Sequence, residues 1–153
     1  MAEPSEPAKL PGLQPREELE PEGSEDSVAP SDAAGWLARG LKSAQLGFPD
    51  RAAADFEEAA WLDPENAEIQ FNLGTAHLSM GMFEQALVNF DRAIELQPTM
   101  SDAVGNRAVA LTALGQDEKA ELDVARAVEL GAPPEGLAAV IEYVKTQRVP
   151  RKT

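Results

Sequence analysis

The sequence predicts an all-α fold, a solenoid of helix-turn-helix units, and three observations carry that prediction. Glycines recur at Gly47, Gly81 and Gly115, and alanines at Ala52, Ala86 and Ala120 and again at Ala59, Ala93 and Ala127, every set in steps of 34 residues. Bulky apolar residues fall between the alanines at Phe56, Phe90 and Val124. The blocks close with Leu62-Asp63-Pro64, Leu96-Gln97-Pro98 and Leu130-Gly131-Ala132, the last followed by Pro133. A period held by this many positions is the signature of a repeat array, in which each unit buries its apolar face only against its neighbours.

The first 32 residues stand apart from the array. They hold six of the twelve prolines and nine carboxylates against Lys9 and Arg16, which gives −7, half of the chain's net charge of −14. Without an aromatic residue, such a segment cannot bury enough apolar surface to offset about 1–2 kcal/mol of backbone entropy per residue. It is therefore expected to be a disordered acidic tail, serving either as a solubilising spacer or as a regulatory segment with Ser24 and Ser27 among its carboxylates. It lacks the basic start and apolar stretch of a signal peptide and is too acidic for a transit peptide, so cytoplasmic residence is expected.

From Ala33 onward each block reads as two helices. The first helix is expected over about 33–46, 67–80 and 101–114. In the middle block Phe71, Leu73, Ala76 and Leu78 do not alternate as a strand would. A glycine ends each one, because glycine takes the left-handed cap conformation without a side-chain clash. The second helix is expected over about 50–62, 83–96 and 117–130, and the proline after it lacks the amide proton needed to continue. The recurrent alanines fall where two helices must approach closely and a larger side chain would overpack. After Pro133 and Pro134, Leu137, Val140, Ile141 and Val144 form one apolar stripe of a last helix, 135–148. Lys145, Arg148, Arg151 and Lys152 make a small basic end that suits the helix dipole.

These residues resemble the tetratricopeptide repeat (TPR). Of its signature Trp, Leu, Gly, Tyr, Ala, Phe, Ala and Pro, the first block has Trp36, Gly40, Ala52, Phe56, Ala59 and Pro64, with Arg39 for Leu and Ser43 for Tyr. The second has Leu73, Gly74, Ala86, Phe90, Ala93 and Pro98, with Gln70 for Trp and His77 for Tyr. The third keeps Ala120 and Ala127, has Ala108, Leu111 and Val124 as near equivalents, and departs at Val104, Arg107 and Ala132. The resemblance implies a short right-handed α-solenoid of three repeats, 33–66, 67–100 and 101–132. A capping helix over 133–149 would seal the last repeat, whose outer face would otherwise be exposed, and 150–153 form the basic end.

Composition removes several function classes. The absence of cysteine removes disulfides and thiolate chemistry, and a single histidine, His77, removes most metal clusters. Net negative charge disfavours nucleic acid, and no apolar run is long enough to insert into a membrane. His77 sits at a packing position of a repeat and lacks a second base for a catalytic set. Gly35 and Gly40 fall in a helix with no strand before them, so they are not a phosphate loop. The carboxylate pairs Glu57-Glu58 and Asp117-Glu118 belong to helix starts and solvent faces. The expectation is a non-enzyme without cofactor or metal.

The resemblance further implies a concave groove lined by the first helices. Its expected peptide-binding residues are Leu37, Leu41, Glu68, Phe71, Asn72, Thr75, Leu78, Asn106 and Val109. Asparagine amides can pair with an extended backbone, and the apolar walls can accept side chains of a peptide or amphipathic helix. Family members that bind the acidic C-terminal tails of heat-shock chaperones use five clamp residues, and here Leu37, Leu41, Asn72, Asp102 and Asn106 stand in their places. One of the five matches, and Asp102 carries the wrong sign, so the reading excludes those tails as partners. Two functions follow: an adaptor that holds a peptide or helix of another protein, or a small cargo-holding co-chaperone that shields apolar segments of a client. A homodimer through the end helix is a further reading.

Overall fold

A computed structural model describes residues 28–148. Among them are seven helices: α1 Ala33–Gln45, α2 Pro49–Leu62, α3 Ala67–Ser79, α4 Phe83–Leu96, α5 Ser101–Ala113, α6 Asp117–Glu129 and α7 Pro134–Gln147. Helices α1 and α2, α3 and α4, and α5 and α6 pack as pairs, α2 meets α3 and α4 meets α5, so the pairs stack in chain order into an all-α solenoid. Helix α7 closes the stack against α5 and α6. The expected acidic tail lies outside the described residues except for Val28–Asp32, as does the basic end beyond Arg148. No helix among the described residues is long and apolar enough to cross a membrane.

The recurring glycines do what their spacing implies. Gly47, Gly81 and Gly115 have φ of 83°, 72° and 76°, the left-handed conformation that costs a side-chain-bearing residue free energy. After each, an amide reaches back across the helix end: Phe48 N to Ser43 O at 2.9 Å, Met82 N to His77 O at 2.9 Å, and Gln116 N to Leu111 O at 2.9 Å. This pairing satisfies carbonyls that the helix leaves without a partner. The first helices of the first two repeats start on side-chain caps, with Asp32 Oδ1 accepting from Gly35 N at 2.7 Å and Asn66 Oδ1 accepting from Glu68 N and Ile69 N. Such caps contribute about 1 kcal/mol each. The third repeat closes differently from the others. Where α2 and α4 are capped by Asp63 and Gln97 before a proline, α6 is capped by Leu130 and followed by Gly131 with φ 106°, and Ala132 N bonds Ala127 O at 2.9 Å.

The core is a row of small-against-large contacts. Phe56 and Phe90 are wholly buried, as are Ala52, Ala59, Ala86, Ala93 and Ala127. A Cβ placed on Gly40 would lie 2.5 Å from the Phe56 ring, and one on Gly74 would lie 2.8 Å from Phe90. The glycines are therefore vacancies that the rings fill. In the third repeat Ala108 stands in the glycine position and Val124 in the phenylalanine position, so a methyl added on one helix is matched by bulk removed from the other. At Gly105 a Cβ would lie 3.8 Å from Leu137 Cδ1, an ordinary van der Waals contact, so this glycine is not a vacancy of the same kind. Leu137 and Ile141 of α7 pack into the same cluster as Ala108 and Leu111.

Gly74→Ala is expected to destabilise the protein by about 1–3 kcal/mol, the usual cost of overpacking, read as a lowered urea midpoint. Combined with Phe90→Val, which recreates the Ala108–Val124 pairing, the two losses should be less than additive. Removal of residues 134–148 exposes the Leu111 side of the core and is expected to lower the midpoint and the solubility of the remaining chain.

Candidate functional site

The residues expected to line the groove come from α1, α3 and α5, and the structure divides them into two sets. The apolar ones are half-buried and committed in part to the core. Leu37 and Leu41 pack against Ala52, Phe56, Leu73 and Ala76. Phe71 and Leu78 pack against Ala86, Phe90 and Ala110, with the Phe71 and Phe90 rings 6.2 Å apart and tilted by 44°. Val109 packs against Ala108, Leu111 and Ile141.

Polar residues of α3 run along one face, with Asn72, Thr75 and Ser79 each bonded back to their own helix and one bond crossing from α5. Asn72 Nδ2 donates to Glu68 O at 2.9 Å, Thr75 Oγ1 donates to Phe71 O at 2.9 Å, and Ser79 Oγ donates to Thr75 O at 3.0 Å. Asn106 Nδ2 crosses from α5 to Thr75 Oγ1 at 3.3 Å. Glu68 is exposed at the start of α3. Asn72, Thr75 and Ser79 line a cavity of about 180 Å³ between the first two repeats, whose other walls include Ala44, Phe56 and Ala76. The two asparagines are thus not equivalent: Asn72 is held within its own helix and faces the cavity, whereas Asn106 ties neighbouring helices together.

His77 is 8% exposed and has structural partners. Its Nδ1 lies 2.9 Å from Asn89 Oδ1, and Asn89 Nδ2 donates to Gln70 Oε1 at 3.1 Å. Its Nε2 is 4.0 Å from Glu57 Oε1. Among the described residues no group of three or more His, Asp or Glu side chains is placed to hold a metal ion.

The arginines that depart from the signature form a second system, which the sequence reading did not identify. Arg39 Nε and Nη2 donate to the two oxygens of Asp55 at 2.9 and 2.8 Å. Arg107 repeats this fork with Asp123 at 2.7 and 2.8 Å, and its Nη1 also reaches Asp91 of α4 at 2.9 Å. The hydrogen bonding of Arg107 to the Asp123 carboxylate is the chief cause that raises the Arg107 pKa further above its ordinary value, against the opposing effect of burial. In the middle repeat Leu73 and Asn89 occupy these positions, so the fork is absent there. The signal in the sequence was the coupled departure, arginine for leucine with aspartate 16 residues later, in two repeats at once. Arg148, read as part of a dipole-favouring basic end, instead folds back to Thr112 O at 3.1 Å and to Asp117 at 2.7 and 3.1 Å.

Family models described as tetratricopeptide repeat match residues 37–81 and 67–100. No curated protein matches the chain at a significant level. Among solved structures, the second TPR of Spaghetti (RPAP3) bound to the HSP90 peptide SRMEEVD is 27% identical, with TM-score 0.64, covering 65% of this chain and 93% of that one. The second TPR domain of human RPAP3 in complex with the HSP70 peptide SGPTIEEVD is 25% identical, with TM-score 0.68 and coverage of 74% and 94%. The Arabidopsis OM64 TPR domain, 19% identical with TM-score 0.68 over 74% and 94%, shares the fold. The first two correct the sequence reading that excluded heat-shock chaperone tails as partners, because repeats like these bind such peptides. Matching five clamp residues weighs only the contact to a terminal carboxylate. The remainder of a peptide ligand is held by backbone hydrogen bonds and apolar contacts that the count leaves out.

Arg107→Ala leaves Asp123, which is 7% exposed, without its fork, and is expected to cost about 3 kcal/mol in chemical denaturation. Arg92→Ala, which removes an exposed ion pair to Glu95 at 3.2 Å, should cost less than about 1 kcal/mol.

Proposed function

Because this chain is a tetratricopeptide-repeat protein, we propose that it is a non-catalytic protein–protein interaction adaptor that holds a peptide or helix of a partner in the concave groove of its three repeats. The observation that carries the proposal is the row of Asn72, Thr75 and Ser79 along α3, with Asn106 bonded to Thr75, beside the cavity between the first two repeats. An amide and hydroxyls set among apolar walls suit an extended peptide, whose backbone needs both donors and acceptors. The peptides bound by the RPAP3 repeats support including acidic C-terminal tails among the ligands tested on this groove. The adaptor would work in the cytoplasm, without cofactor or metal.

The adaptor reading is favoured over the cargo-holding one by the packing of the leucines. Leu37, Leu41 and Leu78 spend part of their surface on the core, which leaves less apolar area to shield a client. Phe71, for the same reason, is a poor probe of binding, since its loss would disturb the contact with Phe90.

The test uses the full chain and the Asn72→Ala/Asn106→Ala variant, in which alanine preserves helix propensity. Peptides selected from a displayed random library, together with SRMEEVD and SGPTIEEVD, are titrated by calorimetry. The variant is expected to keep its helical circular-dichroism signal and to lose at least about tenfold in affinity, the equivalent of one to two hydrogen bonds. Equal affinity of both forms for every captured peptide would overturn the groove as the binding surface.

A further inference from the structure

Two cavities of the molecule are built to one plan. The first, of about 340 Å³, lies where the third repeat meets the second: Leu87 and Asp91 of α4 face Arg107, Lys119, Leu122 and Asp123. A shift of two repeat lengths turns these last four into Arg39, Arg51, Ala54 and Asp55. Those four line a cavity of about 380 Å³ at the front of the first repeat, together with Lys42 and Phe48. The chemistry is conserved with the geometry, since Arg39 grips Asp55 with the same two nitrogens that Arg107 uses for Asp123. The difference is the wall. In the rear cavity α4 supplies a leucine and a carboxylate one helical turn apart. In the front cavity every lining residue among those described belongs to α1, to α2 or to the turn between them.

The same shift applied to Leu87 and Asp91 lands on Leu19 and Gly23, inside the stretch Glu17–Asp26, where Glu17, Glu18, Glu20, Glu22, Glu25 and Asp26 are clustered. Charge is complementary, with Arg39, Lys42 and Arg51 against Asp55 in the cavity. The reach is sufficient. Lys42 lies about 14 Å along α1 from Ala33 at 1.5 Å per residue, whereas an extended chain covers about 3.3 Å per residue. A tethered segment also acts at an effective concentration in the millimolar range, ahead of any untethered competitor. We infer that the front cavity is the docking surface for the chain's own acidic segment Glu17–Asp26, with a glutamate taking the place at Arg39 that Asp91 takes at Arg107, and Leu19 taking the place of Leu87.

The test replaces exposed Ala54, the counterpart of Leu122, with the photo-reactive amino acid p-benzoylphenylalanine in the full chain. After irradiation the cross-linked peptides are mapped by mass spectrometry, with isotope-labelled and unlabelled chains mixed to separate contacts within and between molecules. The expected product joins position 54 to residues 17–26 of the same chain. Its yield should fall severalfold at high salt, which screens the attraction, and in the variant Glu17→Lys, Glu18→Lys, Glu20→Lys, Glu22→Lys. Products only between chains would make the occupant a second copy and overturn the inference. So would products that avoid residues 17–26, or a yield indifferent to charge reversal. The repeats themselves are untouched by the tail substitutions, and groove binding is read separately by calorimetry.

Discussion

The distance between the two helices of a repeat governs everything built on them. At Gly40 and Gly74 the first helix has no side chain, and the ring of Phe56 or Phe90 occupies the space where a Cβ would stand. Close-packed interiors tolerate neither voids nor overlap, so this pairing sets how near the helices lie and therefore how the next pair can stack. The third repeat solves the same constraint with Ala108 and Val124, moving a little bulk from one helix to the other. Leu137 and Ile141 of α7 then pack beside Ala108 and Leu111, and the array closes against that helix.

Stacking fixes the repeats relative to each other through a mixture of apolar and charged contacts. The apolar part is spread along the interfaces, while the charged part is concentrated at Arg107, which touches Asp123 of its own repeat and Asp91 of the preceding one. A fork of this kind has directional requirements that leucine contacts lack. It therefore fixes α5 against α6 within the third repeat, while one further bond from Nη1 to Asp91 reaches the second. The middle repeat uses a side-chain hydrogen-bond network instead, His77, Asn89 and Gln70, in the region where its neighbours place an ion pair. Adjacent repeats with the same backbone plan thus carry different chemistry at equivalent positions.

The fold was legible because backbone constraints leave local marks. A positive φ demands glycine at Gly47, Gly81 and Gly115, and close helix approach demands the alanines, so both appear at fixed spacing. The groove was less legible, because a half-buried leucine reads the same whether it faces a ligand or a neighbouring helix. Leu37, Leu41 and Phe71 could be assigned to α1 and α3 from the sequence, but not divided between core and groove. The forks were hidden for a related reason. Arg39 and Arg107 look like defects in an apolar signature when each is read alone, and they become intelligible only with Asp55 and Asp123 on the next helix. The exclusion of chaperone tails failed because a five-residue clamp comparison weighs one end of a peptide.

Trp61 is 82% exposed, whereas Trp36, the only other tryptophan, is half-buried with the Arg39 guanidinium 4.7 Å from its ring centroid. The two indoles therefore divide the intrinsic fluorescence of the protein cleanly. Emission from Trp61 comes from a water-like setting in the folded chain and changes little when the chain unfolds. Trp36, half-buried beside the Arg39 guanidinium, is the indole whose surroundings change on unfolding. A natural spectroscopic reporter is thus built into the first repeat, and a Trp61→Phe background would isolate it.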